Sequence, residues 1–240
     1  MVETHYTPTL RTRWTRLILR PIFRGLFHIL SHVRVHGKEH VPKSGPYLIA
    51  INHVSLYEPP FILAFWPVAP EAAGAVDIWE RRGQDILVRL YGGIPVHRGE
   101  YDRKVIDMMQ AVLKSGRPLL LAPEGGRSHT PGMRRALPGA AYLASLAQVP
   151  IVPVGISGAT DDFFDRAIHG KRPTLEMRIG PPVTLPALEV RGETRRLARQ
   201  RNADQIMLHI AALLPPEYQG VYGEGFTFDQ PAAVAAQAEQ

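Results

Sequence analysis

The sequence predicts an α/β fold: a mostly parallel sheet flanked by helices, behind an N-terminal basic amphipathic helical segment. Three observations lead there. Short apolar runs alternate with segments of helical periodicity, the pattern of strands joined by crossover helices. Runs such as Leu119-Leu120-Leu121-Ala122 are apolar without alternation, as in strands covered on both faces. The stretches at His53, Arg98 and Glu124 each directly follow a predicted strand, and sites in open parallel sheets lie beyond the carboxyl ends of strands.

Composition narrows the function classes. A chain of 240 residues suits one sizeable domain with a small appendage. The absence of cysteine excludes disulfides, thiolate metal sites and a cysteine nucleophile. A net charge of +6 and a pI near 9.8 point to anionic partners: phosphate-bearing substrates, an acidic membrane surface or nucleic acid. Nucleic acid is the least favoured of these. The basic residues interleave with aliphatics more than with aromatics, and no recognised nucleic-acid module occurs. No apolar run approaches the ~18 residues of a membrane span. The N-terminal segment is interrupted by Arg20, Arg24 and His28, unlike a signal peptide.

Three segments follow: 1–32, an N-terminal amphipathic helix; 33–214, the α/β domain; and 215–240, a surface tail with a disordered end. From Arg11 to His32, Trp14, Leu17, Ile18, Ile22, Phe23, Leu26, Phe27 and Leu30 recur at helical spacing, with arginines between them. Pro21 should kink or divide this helix. Either the helix lies in a membrane interface, or it packs on the domain with a solvated arginine face. Val33–His36 reads as a short strand, Tyr47–Ile51 as a buried one, and a helix begins near Pro60. Ala73–Val76 is a candidate strand and Trp79–Tyr91 a helix, followed by the strand Ile94–Val96. Further on come a helix over 101–114, a strand at Leu119, a helix over 139–147 and a strand over 151–156. The prolines of that last strand argue for an edge or a bulge. Leu175–Ile179 closes the strands, and Glu193–Leu214 forms a long helix.

The most reactive stretch is Asn52-His53-Val54-Ser55-Leu56-Tyr57-Glu58. Five residues on one helix separate two side chains by about 140°, so His53 and Glu58 meet only if the histidine lies in the loop before the helix. An imidazole held by a carboxylate is a good general base for a hydroxyl. A capping box, Ser55-x-x-Glu58, explains the same spacing, and a packed histidine is a third reading. In Pro123-Glu124-Gly125-Gly126-Arg127-Ser128 the glycines permit close approach of a ligand, and the arginine suits an anion. Most such loops are only turns. Arg98, after Ile94-Pro95-Val96, is a surface arginine or the second arm of a phosphate fork with Arg127. There is neither a Gly-x-Ser-x-Gly elbow nor a His-Glu-x-x-His motif, so a substrate hydroxyl is the expected nucleophile and no metal or cofactor is expected.

Four stretches together resemble the glycerolipid acyltransferase family, which includes 1-acylglycerol-3-phosphate acyltransferases. They are Asn52-His53-Val54-Ser55-Leu56-Tyr57-Glu58, Gly92 to Arg98, Pro123 to Ser128, and Val149-Pro150-Ile151-Val152-Pro153-Val154. Glu58 stands where the family has aspartate, Gly126 where it has threonine, and Ala136-Leu137-Pro138-Gly139 where it often has Phe-Lys-x-Gly. The resemblance implies His53 as general base with Glu58 as its partner. It implies Arg98 and Arg127 on phosphate, and Glu124, Gly125 and Gly126 in the acceptor-binding loop. It also implies transfer of an acyl chain from acyl-CoA or acyl carrier protein to a lysophospholipid acceptor, first among them 1-acyl-sn-glycerol-3-phosphate. The expected setting is a peripheral membrane protein on the cytoplasmic side. Other lysophospholipids, a glycolipid, an amine-bearing lipid, or a non-catalytic membrane-binding role are the alternatives.

Overall fold

The computed structural model describes residues 6–97, 102–186 and 193–228. Seven strands form one sheet: β1 (His32–His36), β2 (Leu48–Ile51), β3 (Glu71–Ala75), β4 (Ile94–Val96), β5 (Leu119–Leu121), β6 (Ile151–Ser157) and β7 (Thr174–Ile179). Their order is β1-β7-β6-β2-β5-β3-β4, with every neighbouring pair parallel except β6 and β7. The helices are α1 (Leu10–Leu30), α2 (Glu58–Phe65), α3 (Gln84–Tyr91), α4 (Arg103–Lys114), α5 (Gly139–Ala147), α6 (Phe163–Ile168), α7 (Glu193–Ala211) and the short α8 (Pro216–Gln219).

Strand periodicity explains the two cores. Successive side chains point to opposite faces. Leu48 and Ala50 of β2 therefore pack with Val112 of α4, Ala141 of α5 and Ile206 of α7, while Ile49 and Ile51 pack with Phe27 of α1, Phe61 of α2 and Phe163 of α6. All four β2 residues are buried, so the unbroken apolar run marks a central strand with helices on both sides.

Pro150, just before β6, and Pro153 within it do not put the strand at an edge: it lies between β2 and β7. Pairing with β7 begins at Val154, one residue beyond Pro153, whose carbonyl accepts from the Gly180 N–H. The missing proline donor thus falls where that ladder ends. The helix expected over Trp79–Tyr91 is divided into a 3-10 turn (Val76–Trp79) and α3, because Gly83 before α3 takes φ +86°, outside the helical region.

The N-terminal helix packs on the domain with its arginines divided: Arg11, Arg13 and Arg24 are exposed, Arg20 is half-buried and Arg16 is buried. Arg16 is 3% exposed, whereas Trp14, Leu17, Ile22 and Ile29 are 57–72% exposed. The guanidinium of Arg16 donates to both oxygens of Glu71 and to the Tyr91 carbonyl. Arg20 donates to the carbonyls of Leu63 and Trp66, and Arg24 to that of Ala64. The last carbonyls of a helix lack intrahelical partners, so the end of α2 attracts these cations. Pro21 does not divide α1; it lies on the exposed side. Among the described residues no helix is long and apolar enough to cross a membrane.

The tail drawn from 215 is instead anchored up to the last described residues. Tyr218 and Tyr222 are buried in the α4/α5/α7 core, where their hydroxyls accept from the Gly158 and Ala136 N–H groups.

Burial would raise the Glu71 pKa, but Arg16, Tyr6 and Arg117 override it and hold the carboxyl below its ordinary value. Replacing Glu71 by alanine strands two guanidiniums, Arg16 and Arg117. Loss of one partner from a buried ion pair typically costs about 3–5 kcal/mol. Glu71→Ala should lower unfolding free energy in urea by that order, whereas Trp14→Ala should change it by less than about 0.5 kcal/mol.

Candidate active site

His53 follows β2 directly. Asn52 fixes the strand end: its amide donates to the Ile156 carbonyl and accepts from the Ile156 N–H, extending the β2–β6 ladder by a side chain. The backbone then turns into α2, and the His53 Nδ1 meets Glu58 Oε2 at 3.2 Å. Glu58 is fully buried and His53 is 12% exposed at its side chain. Among the described residues nothing bonds His53 Nε2, which leaves that nitrogen available to a substrate.

The Ser55–Glu58 contact and the dyad prove to be one arrangement, formed ahead of the α2 N-cap, Tyr57, and not as a capping box on it. Glu58 Oε1 accepts from the N–H groups of Val54 and Ser55 at 3.2 and 3.0 Å, and from the Ser55 hydroxyl. The Ser55 Oγ accepts from the Tyr57 N–H. Glu58 opens α2 and reaches back to the loop before it, and its Oε2 is shared between the Ser55 N–H, at 3.0 Å, and the imidazole. Burial is the largest influence on Glu58 and pushes its pKa up; the bond to His53 and the Ser55 N–H act against it.

Glu124 is 4% exposed and does not face outward to a ligand. Its Oε1 accepts from the His53 N–H at 2.7 Å and its Oε2 from the Arg134 N–H at 2.6 Å. Beside it, the N–H groups of Ser128 and His129 donate to the carbonyls of His53 and Val54. The loop from Pro123 is therefore stitched along the dyad. Gly125 has φ +68°, and a Cβ there would lie 2.5 Å from Leu137 Cδ1, so both conformation and space favour glycine. Gly126 is buried and Arg127 half-buried on the same loop. Arg127 has no carboxylate partner among the described residues. Arg98 lies outside the described residues; β4, which leads to it, runs parallel to β3 and so ends at the same edge of the sheet as β2.

Two contributors escaped the sequence reading. The first is a buried strut: Asp204 of α7 accepts from Arg135, Gln200 and the Tyr222 hydroxyl. Tyr222 accepts from the Ala136 N–H, so the strut holds the 134–137 segment against Glu124. An aspartate among Ala203, Ile206 and Met207 was its one sequence signal. The second is Asp161, which takes His129 Nδ1 at 2.9 Å at the rim.

Burial pushes the Glu124 carboxyl up to about 8, against the pull of the Arg134 and His53 N–H groups. A folded pKa above the unfolded one means the fold binds a proton that the unfolded chain has released, so stability falls as pH rises between the two values. Chemical denaturation from about pH 5 to 8 should show this fall, and Glu124→Gln should flatten it by up to about 1.4 kcal/mol per pH unit, one proton's worth.

The comparisons with known proteins fit this geometry. The chain is 29% identical over 165 residues to the sheep 1-acyl-sn-glycerol-3-phosphate acyltransferase alpha, and 29% identical over 164 residues to its human counterpart. Each match covers 65% of this chain and 56% of the relative, so the chain spans little more than half the length of these relatives. Its fold matches the crystal structure of the 1-acyl-sn-glycerophosphate (LPA) acyltransferase PlsC from Thermotoga maritima, with a TM-score of 0.58 at 20% identity over 81% of this chain and 79% of that one. The Acyltransferase family model matches residues 32–157, the span from β1 to the end of β6 that carries His53, Glu58 and Glu124: the chain belongs to the Acyltransferase family.

Proposed function

We propose that the chain transfers a fatty acyl group from a thioester donor, acyl-CoA or acyl carrier protein, to the free hydroxyl of 1-acyl-sn-glycerol-3-phosphate, giving phosphatidic acid. The observation that carries this reading is the His53 ring, pinned at Nδ1 by a buried carboxylate and open at Nε2. Glu58 fixes the tautomer with the proton on Nδ1, so Nε2 is the basic nitrogen. It takes the acceptor hydroxyl proton as the oxygen attacks the thioester carbonyl. The tetrahedral oxyanion collapses, the carbon–sulfur bond breaks, and the imidazolium returns its proton to the departing thiolate. The Glu58 charge stabilises the imidazolium between those steps.

Arg127 supports a phosphate-bearing acceptor, since it is a cation on the same loop with no acidic partner among the described residues; Arg98 is the second candidate for that phosphate. The names of the relatives point to the same acceptor. A membrane surface is the expected source of acceptor and the sink for product. The outward apolar face of α1 supports contact with it, with Arg13 and Arg24 exposed beside that face.

His53→Ala should lower kcat with acyl-CoA and lysophosphatidate by roughly 10²–10⁴-fold, the usual range for loss of a general base, with little change in KM. Glu58→Gln should lower kcat less, since the ring stays in place but loses its charged partner. Full activity of His53→Ala removes this mechanism, and a wild-type enzyme that acylates no lysophospholipid removes the function.

A further inference from the structure

The end of the sheet opposite His53 holds a concave site. The loops entering β2, β3 and β5, together with the first half of α1, enclose a cleft of about 400 Å³. Tyr47 lines it and His53 lies six residues along the same nearly extended chain, which puts the two sites roughly 20 Å apart. Five cations line the cleft: Arg13, Arg16, Arg20, Lys43 and Arg117. Among the described residues one carboxylate pairs with any of them: Glu71, shared by Arg16 and Arg117. Arg13, Arg20 and Lys43 have no acidic partner there. Arg20 is bonded only to the carbonyls of Leu63 and Trp66, which fix its geometry and leave its charge. Burial, then the neighbouring Arg24 and Arg16, hold its pKa below the ordinary value. Positive charge gathered around an open cleft, half-buried at Arg20 and Arg117 and exposed at Arg13 and Lys43, favours an anion, and guanidinium forks suit phosphate.

The rim says which kind of phosphate. Leu17 lines the cleft and also belongs to the outward apolar face of α1, with Leu10 at 72% and Trp14 at 64% exposure. A free phosphate or a nucleotide would use the cations and leave that rim in water; a molecule with a phosphate and acyl chains uses both. We propose that this cleft binds the phosphate of an anionic phospholipid, with its chains along Leu10, Trp14 and Leu17, at a site separate from the one at His53. The bound lipid would then tie the N-terminal half of α1 to the loops beneath the sheet, and would make attachment depend on anionic lipid rather than on apolar contact alone.

Amide NMR shifts of Gly45 and Gly116, which line the cleft, give a local readout. Titration of the full chain with dihexanoyl phosphatidic acid, below its micelle concentration, should shift both amides saturably. Dihexanoyl phosphatidylcholine should bind at least tenfold more weakly, and the double variant Arg13→Ala, Lys43→Ala should weaken phosphatidic acid binding at least tenfold. Inorganic phosphate that matches the lipid's affinity would overturn the lipid assignment in favour of a free-phosphate site. Absence of shifts at Gly45 and Gly116 would overturn the cleft altogether. If wild-type protein shows no shifts yet turns over lysophosphatidate, the cleft fails alone; shifts without turnover leave the cleft standing and remove the acyl transfer.

Discussion

Glu124 is the point where the two halves of the site meet. Its carboxylate sits between the His53 N–H, at the exit of β2, and the Arg134 N–H, on the chain returning from the glycine loop. A buried carboxyl is costly unless its oxygens are satisfied, and here each oxygen has one short backbone donor. Pulling the loops apart would leave a buried carboxyl and two amides unmatched, at about 1–3 kcal/mol for each group. His53 therefore does not hang from a free loop end: its backbone is clamped by one glutamate and its ring by another.

The clamp is backed from a distance. Asp204 on α7 gathers Arg135, Gln200 and Tyr222, and so presses the 134–137 segment toward Glu124. On the other flank, Asn52 ties the β2 exit to β6. Rigid elements thus hold His53 from three directions: the sheet, α7 and the first turn of α2. Precise placement of reacting groups contributes much to rate, and buried polar networks with every member satisfied are well suited to provide it.

Much of this was legible in the residues, for physical reasons. Unbroken apolar runs exposed the central strands, and their ends located His53 and Glu124, because sequence position at a strand terminus translates directly into position at a sheet edge. The His53–Glu58 spacing was readable as both cap and dyad, and one carboxylate serves the Val54 and Ser55 N–H groups and the imidazole together. What could not be read depended on contacts far apart in sequence. Glu124 looked like a ligand-facing acid, yet its direction is set by an amide 71 positions away. The arginines of α1 looked solvated because their partners, Glu71 and the carbonyls that end α2, lie 40 or more positions downstream. Pro153 signalled an edge strand, because nothing local shows that β7 begins its pairing one residue later.

The inward arginines of α1 have a consequence for reach. A helix resting on aliphatic packing can roll or slide at little cost, but α1 is keyed to Glu71 and to three carbonyls near the end of α2, and α2 begins at Glu58. The outward apolar face and the imidazole are therefore parts of one rigid gauge. Any interface that receives this face lies at a set height from His53 Nε2, so the atom of an embedded molecule that comes within reach of that nitrogen is selected by its depth, before any pocket recognises its shape.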